Sequence, residues 1–597
     1  MRKFYFSFSI FVTVLFLSCN ADLENQQTGI NQSDDMVAQT FTADSTMVKN
    51  AYSVDAMKAA LELIKKRAST NIAEIKGSKN RVAMSTDILN NFVVQTSHRY
   101  IKFNPSNKTE EDLLKDDSNM FLFDYRLDYE YSDEFLLNRP ADSDSIPNYY
   151  TAVPVDKILP NVPHEILEEL YIPEQDPYFA DVVDVDEYAV TYNIQNKSDL
   201  FFTLISTVHE QADTFSNVGY IRQGIYSASD QIISPDGSTP PPPQTEMRIV
   251  YGRKWRPEGR IRVEDTSEGM VRYPVEGAKV LIRQGFTVTS GITTAAGDFS
   301  TGEVRGRARY ILQWDRHNFS IRTGRFGQAE TKSPNMRAQN WNCDIIRSLG
   351  QHAWYYATIF QAAHDYYYKD IMGLHRPQLN TFWNSQMKIA AKESTDSSSH
   401  LNQFAAFGIL PSIYLNAWGK TSEGVYGTTI HELAHSAHRE MGINAYASLA
   451  WKAYAEPEAW GTGATDKEKS AKRVMESWAV AVEITLTRLR YQRLNAPFSN
   501  YRATQNAPFG NYQFIPLSFD VSTNTFYTSA YFDLTDNVNQ RSIFGSTMPN
   551  DNVQGFTIKQ VQDIIKDSES WGEVKEKFVT QYGENGLSAS NFLSQWQ

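Results

Sequence analysis

Cysteine is almost absent: 597 residues contain two, Cys19 and Cys343. That excludes a disulfide framework and any zinc cluster built on thiolates. Excess positive charge is absent as well. Fifty-seven Lys and Arg face 70 Asp and Glu, a net charge of −13 with no basic run, so no nucleic-acid partner is expected through phosphate neutralisation. Beyond the first residues, no stretch approaches the roughly 18 uninterrupted apolar residues of a spanning helix. No internal repeat is visible. What remains is ordinary globular material, 41% hydrophobic, 13% aromatic and 21% charged. The length suits about four domains, and the apolar fraction is enough to build their cores.

Residues 1–19 read MRKFYFSFSIFVTVLFLSC, with Arg2 and Lys3 ahead of an apolar stretch, Phe4 to Leu17, broken only by Ser and Thr. As a helix this stretch reaches about 21 Å, short of a hydrocarbon core of about 30 Å. The form predicts an export signal over 1–18. Leu17-Ser18-Cys19 resembles the lipobox of bacterial lipoproteins. The resemblance implies that Cys19 is lipidated, with residues 19–47, polar and aperiodic, as a flexible tether. The protein is then exported and lipid-anchored to the bacterial envelope, at the outer membrane or cell surface. Cys343, left without an intrachain partner, is expected to act as a small buried hydrophobe.

Residues 48–233 read as a mixed N-terminal domain. Ala56, Met57, Ala60, Leu61, Leu63 and Ile64 share a helix face after a Ser53 cap. Phe121–Phe123 and Ala189–Tyr192 read as strands and His164–Leu170 as a short helix. Residues 234–245, SPDGSTPPPPQT, contain consecutive prolines from Pro240 to Pro243. They predict an extended polyproline II linker. Short alternating runs over 246–325, separated by Gly and charged turns, predict a small antiparallel β-sandwich. Three segments there, Gly259-Arg260-Ile261, Pro274-Val275-Glu276-Gly277-Ala278-Lys279-Val280 and Thr294-Ala295-Ala296-Gly297-Asp298-Phe299, resemble the carboxypeptidase regulatory-like module. That module is an accessory domain similar to transthyretin and implies no chemistry. Over 330–597 the chain reads as richer in helices, at 352–372, 426–441, 466–493, 557–568, 571–582 and 588–595, with a strand at 410–418.

One motif carries chemistry. Residues 428–440 are TTIHELAHSAHRE, with Thr428-Thr429-Ile430 as a helix start and His431-Glu432-Leu433-Ala434-His435 inside. On a helix, imidazoles at i and i+4 lie one turn apart on one face and can converge on a single zinc ion. Glu432, beside them, can accept a proton from a water held there, as in H-E-x-x-H metallopeptidases. A catalytic zinc takes three protein ligands and leaves a position open. The metzincin pattern needs Gly at 438 and His at 441, where this chain has His438 and Met441. His438 itself sits another turn along, too far to join both histidines at one ion.

The next long helix offers Glu476 and Glu483, seven apart amid Val, Met, Trp and Ala. Buried carboxylates there call for a partner or a metal. The arrangement resembles the gluzincin superfamily of zinc peptidases, and Glu476-Ser477-Trp478-Ala479 is similar to its E-S-[FW]-A ligand helix. The resemblance implies one zinc per chain held by His431, His435 and Glu476, with Glu432 as general base. Glu483 is the second choice for the third ligand, or else a partner of Arg488, Arg490 or the ligand shell. Thermolysin-like enzymes carry an Asp four residues after the ligand Glu to orient a histidine, whereas position 480 here is Val. Tyr531, within Tyr527–Leu534, is the candidate oxyanion donor. The strand at 410–416 is the candidate peptide-binding edge. His352 and His364 read as packed helix residues.

The expected architecture is therefore multidomain α+β, with a mixed N-terminal domain, a small antiparallel β-sandwich and a mainly helical zincin-like catalytic domain. The expected function is zinc-dependent hydrolysis of peptide bonds in a peptide or protein substrate at the envelope. Two alternatives stay open at this point: an amidase acting on cell-wall or glycoprotein material, and a non-catalytic binding lipoprotein with a structural or vacant metal site.

Overall fold

The computed structural model describes residues 52–55, 58, 62, 93–117, 120–127, 146–172, 255–267, 269–304, 307–323, 327–337, 339–380, 386–394, 399–400, 413–455, 465–495, 515–522 and 526–596. The export signal, Cys19, the tether, most of the helix face after Ser53, the strand at Ala189–Tyr192 and the proline linker lie outside the described residues. Among the described residues no helix is long and apolar enough to cross a membrane.

The chain is a multidomain α+β protein. It begins with a three-stranded antiparallel sheet of order β2-β1-β3, built from β1 (His98–Phe103), β2 (Tyr149–Pro154) and β3 (His164–Leu170). Helix α1 (Lys108–Lys115) follows β1 and is capped by the Asn107 side chain. The helix expected at His164–Leu170 is thus a strand. Its register against β1 skips Leu167, pairing Ile166 with Ile101 and Glu168 with Tyr100. This bulge breaks the two-residue alternation, which is why Ile166, Leu167 and Leu170 imitate a helix face in sequence. Of Phe121–Phe123, Phe123 makes an isolated bridge to Tyr150.

The strands β4 (Glu258–Asp265), β5 (Val271–Pro274), β6 (Lys279–Gln284), β7 (Thr287–Ile292), β8 (Asp298–Ser300), β9 (Arg307–Gln313), β10 (Phe319–Arg322), β11 (Glu330–Arg337) and β12 (Trp341–Ile345) come next. They make two four-stranded sheets, β12-β4-β5 with β8 on β4, and β11-β9-β6-β7. The Thr294–Phe299 segment forms the turn into β8, closed by Thr294 N–H donating to Asp298 O at 2.8 Å. Gly297 sits there at φ 79°, and a Cβ would lie 2.4 Å from Ile261 O, so glycine is required. Pairing carries these sheets to Ile345, past the expected end at 325. It is also not wholly antiparallel, because β12 runs parallel to β4. Strand β10 departs from the sandwich. Its Phe-Ser-Ile-Arg is buried at every position, the pattern of a strand covered on both faces, and it pairs in parallel with β13 (Met387–Ala391).

The sheet so formed has the order β10-β13-β15-β14, with β14 (Ser399–His400) antiparallel to β15 (Ile413–Leu415). The strand expected as a peptide-binding edge is therefore internal among the described residues, flanked by β13 and β14. Helices α2 (Gln351–Tyr368) and α3 (Ser422–Met441) pack on this sheet, α2 at β10 and α3 at β14 and β15, while α4 (Ile443–Ala450) and α5 (Asp466–Arg493) pack on α3. The chain ends with α6 (Phe519–Ser522), α7 (Ala530–Asp533), α8 (Gln540–Phe544), α9 (Ile558–Ile565) and α10 (Trp571–Leu593), whose non-helical Gly583 divides it where two helices are expected. One hydrophobic core runs from Ile261 and Tyr310 of the sandwich through Trp354 of α2 to Leu433, Trp478 and Phe578. The N-terminal sheet shares a second core with the sandwich, Tyr100 and Phe123 meeting Leu281 and Phe286.

Candidate metal centre

Helix α3 starts a turn earlier than the threonines suggest, at Ser422, where the Thr421 side chain accepts from Gly424 N–H. Thr428 and Thr429 lie inside it, their hydroxyls donating to the carbonyls of Gly424 and Val425, four residues back. Such bonding lets threonine sit in a helix interior. The apolar residues Ile430, Leu433, Ala434 and Ala437 are buried against the rest of the core, which sets the rotation of the helix and brings His431 and His435 against α5. The two rings meet edge to face, 5.1 Å between centroids.

Helix α5 is capped by Thr465 and carries Glu476 to the same point. Glu476 Oε2 lies 3.3 Å from His431 Nε2 and 3.4 Å from His435 Nε2. One donor atom from each of the three residues lies within 4.8 Å of the others. Donors bonded to a tetrahedral zinc at roughly 2.0–2.1 Å stand about 3.3–3.4 Å apart, so the spacing of this N₂O set fits that ion. The three residues are largely buried, with exposures of 6, 5 and 8%.

The charges fit as well. Burial disfavours charge on both Glu476 and His431, yet their mutual contacts win. His435 and His431 hold the Glu476 carboxyl well below its usual range. Hydrogen bonds to Glu476 and Glu483 lift His431 to about 10. The proton on His431 thus supplies the positive charge that a divalent ion would bring when it displaces that proton.

Glu483 lies on the other side of the His431 ring, its Oε2 3.1 Å from Nδ1. It is not in the group facing the common point. Seven residues of helix separate the two glutamates by about 10 Å, so Glu483 reaches the outer nitrogen while Glu476 reaches the inner one. Glu483 thus stands on the Nδ1 side of His431, outside the group of His431, His435 and Glu476. Glycine at 427 gives it room, since a Cβ there would stand 2.6 Å from Glu483 Oε1.

Tyr531 is not at this site. It is fully buried, its ring 5.2 Å from that of Trp571 and its hydroxyl without a hydrogen-bond partner. Four residues earlier, Tyr527 sets its ring edge to face on His431 at 5.4 Å, and its side chain hydrogen-bonds Glu476. A second tyrosine, Tyr454 in the π-turn Trp451–Ala455 after α4, donates to Glu476 Oε1 at 2.7 Å. Ser477, next to Glu476, accepts from Thr528 N–H at 3.2 Å and from its hydroxyl at 2.8 Å. That contact ties the Tyr527 segment to α5. Either tyrosine of the Tyr527–Leu534 stretch suits the donor role by sequence alone, and no spacing signal points to Tyr454.

Glu432 is 5% exposed. Burial raises its carboxyl pKa above the ordinary value; the two histidines oppose the rise, and Glu476 and Glu483 add to it. His438 is wholly buried, its ring on Tyr446 at 4.9 Å, with no hydrogen bond at either nitrogen. Burial depresses its pKa to about 3, and it takes no part in the cluster. His364 is buried against Phe360, and His352 pairs with Glu393 at 2.7 Å. Cys343 of β12 is half-buried, its thiol pushed up to about 12 by burial and then by Asp344. No known family, curated protein or solved structure matches the chain.

Proposed function

We propose that the chain is a zinc-dependent peptidase of the bacterial envelope, anchored through Cys19. The observation that carries this reading is the convergence of His431, His435 and Glu476 on one point beside Glu432. When bound there, zinc polarises the scissile carbonyl and acidifies a water. The chain's own groups supply the rest. Glu483 fixes the tautomer of His431 by engaging Nδ1, leaving Nε2 for the ion. Glu432 takes the proton of the attacking water and returns it to the leaving nitrogen as the carbon–nitrogen bond breaks. A carboxyl raised above its usual range suits this exchange. Tyr527, already at the ligand shell, is the donor for the developing oxyanion.

The test is Glu432→Gln measured against wild type on a peptide library, with metal content determined in parallel. The variant keeps its zinc and loses about 10²–10⁴-fold in kcat/KM. A zinc-loaded variant as active as wild type contradicts the proposal. For the anchor, lipid incorporation is expected to vanish in Cys19→Ala, and its persistence contradicts that part of the reading.

A further inference from the structure

The two carboxylate oxygens of Glu476 are used differently. Oε2 faces Nε2 of His431 and of His435, at 3.3 and 3.4 Å. Oε1 accepts the hydroxyl of Tyr454 at 2.7 Å. Tyr454 comes from outside both helices of the cluster, on the π-turn Trp451–Ala455 that packs against α5. Such turns are uncommon and recur at functional sites.

The π-turn and its tyrosine are held from two sides. On one, Ser448 Oγ donates to Glu569 Oε2 at 2.6 Å, and Lys452 Nζ donates to the same oxygen and to Glu569 O at 3.1 Å. On the other, the Lys472 ammonium lies 5.4 Å from the centre of the Tyr454 ring, an attractive placement for a cation. Glu468 Oε1 in turn accepts from that ammonium at 2.8 Å. Glu468, Lys472 and Glu476 follow at intervals of four residues, so they share one stripe of α5. Tyr454 lies along this stripe, its ring at Lys472 and its hydroxyl at Glu476. The residue as a whole is 52% exposed, so the fold does not depend on burying it.

We propose that Tyr454 is a positioning residue for the proposed hydrolysis: it holds Glu476 to a single ligand oxygen and so keeps a coordination place free for water. The inference rests on the peptidase reading. A carboxylate can bind a metal through one oxygen or through both. With both, Glu476 would take the place that three protein ligands leave open at a catalytic zinc. The phenol on Oε1 occupies that oxygen and fixes the rotation of the carboxylate, so that Oε2 alone faces the histidines. Hydrogen bonds to a ligating carboxylate tune a metal site in this way. Tyr527 also hydrogen-bonds Glu476, which keeps the carboxylate in place when the Tyr454 hydroxyl is removed.

The full chain loaded with cobalt in place of zinc tests it, beside Tyr454→Phe. Cobalt reports its coordination number in visible absorption, four-coordinate ions absorbing strongly and five-coordinate ions weakly. Wild type binds about one cobalt per chain with intense bands. Tyr454→Phe keeps that stoichiometry and the wild-type Tm, while its bands weaken several-fold as the second oxygen closes on the ion. A loss of peptide hydrolysis with an unchanged spectrum overturns the proposal, because the hydroxyl then acts on substrate and not through Glu476. Weak bands in both chains overturn it as well. Either result leaves the metal reading standing, whereas a wild-type chain that takes up no cobalt overturns both.

Discussion

His431 is the residue on which most of the site turns. One ring nitrogen faces Glu476 and His435 while the other is held by Glu483 at 3.1 Å, so its direction is set before any ion arrives, and the proton that stays when an ion takes Nε2 is the one on Nδ1. Replacing Glu483 by Gln keeps the shape but removes the charge, and zinc affinity is expected to fall about 10–100-fold with the zinc stoichiometry at saturation unchanged. Competition with a chromophoric chelator reads this directly; unchanged affinity contradicts the orienting role. His438, one turn along, has the opposite character. Its folded-state pKa of about 3 lies below an unfolded value of about 6.5. Between those limits the unfolded chain binds the proton and the folded chain does not, so stability is lost as pH falls below about 6.5. His438→Phe removes that titration and flattens the acid limb of the stability curve by up to about 1.4 kcal/mol per pH unit. Denaturant melts from pH 7 to pH 4 measure it, and an unchanged slope contradicts it.

At the scale of elements, the site is two helices brought face to face. Helix α3 supplies the histidine pair and α5 both glutamates, and Gly427 is where they come closest to conflict. Gly427→Ala places a methyl 2.6 Å from Glu483 Oε1, so the carboxylate swings off His431. The expected result is a loss of zinc affinity like that of Glu483→Gln with little change in Tm, since the atom displaced is the end of a side chain. A variant with wild-type affinity shows that Glu483 does not need its present position. Much of this arrangement was legible in sequence because helical spacing is rigid. The i, i+4 histidines and the bounds of α5 at 466–493 follow from periodicity and capping alone. Strand partners are less legible. Leu167 is a bulge that disguises β3, β10 leaves the sandwich for another sheet, and β12 enters it in parallel. Each depends on contacts far along the chain. Tyr454 and Tyr527 were hidden for the same reason, because loops bring them to Glu476 and no local pattern marks them.

Across the whole molecule, buried charge helps to join the described parts of the chain. Glu111 of the N-terminal helix α1 pairs with Lys388 of β13 at 2.7 Å and with Lys115 at 2.6 Å, both contacts nearly or partly closed to water. Tyr149 of β2 donates to the same carboxylate at 2.6 Å. Lys388→Met leaves Glu111 short of a partner in the interior and is expected to destabilise the protein by about 3 kcal/mol, with Glu111→Gln/Lys388→Met losing less than the sum of the single changes. Additive losses in denaturant melts contradict a coupled pair. The central claim, however, concerns the metal. Its most direct test is the zinc content of the purified chain beside Glu476→Ala after both are supplied with the ion. About one zinc per chain, largely lost in the variant, is the predicted result; full zinc in both, or none in either, contradicts a site built from His431, His435 and Glu476.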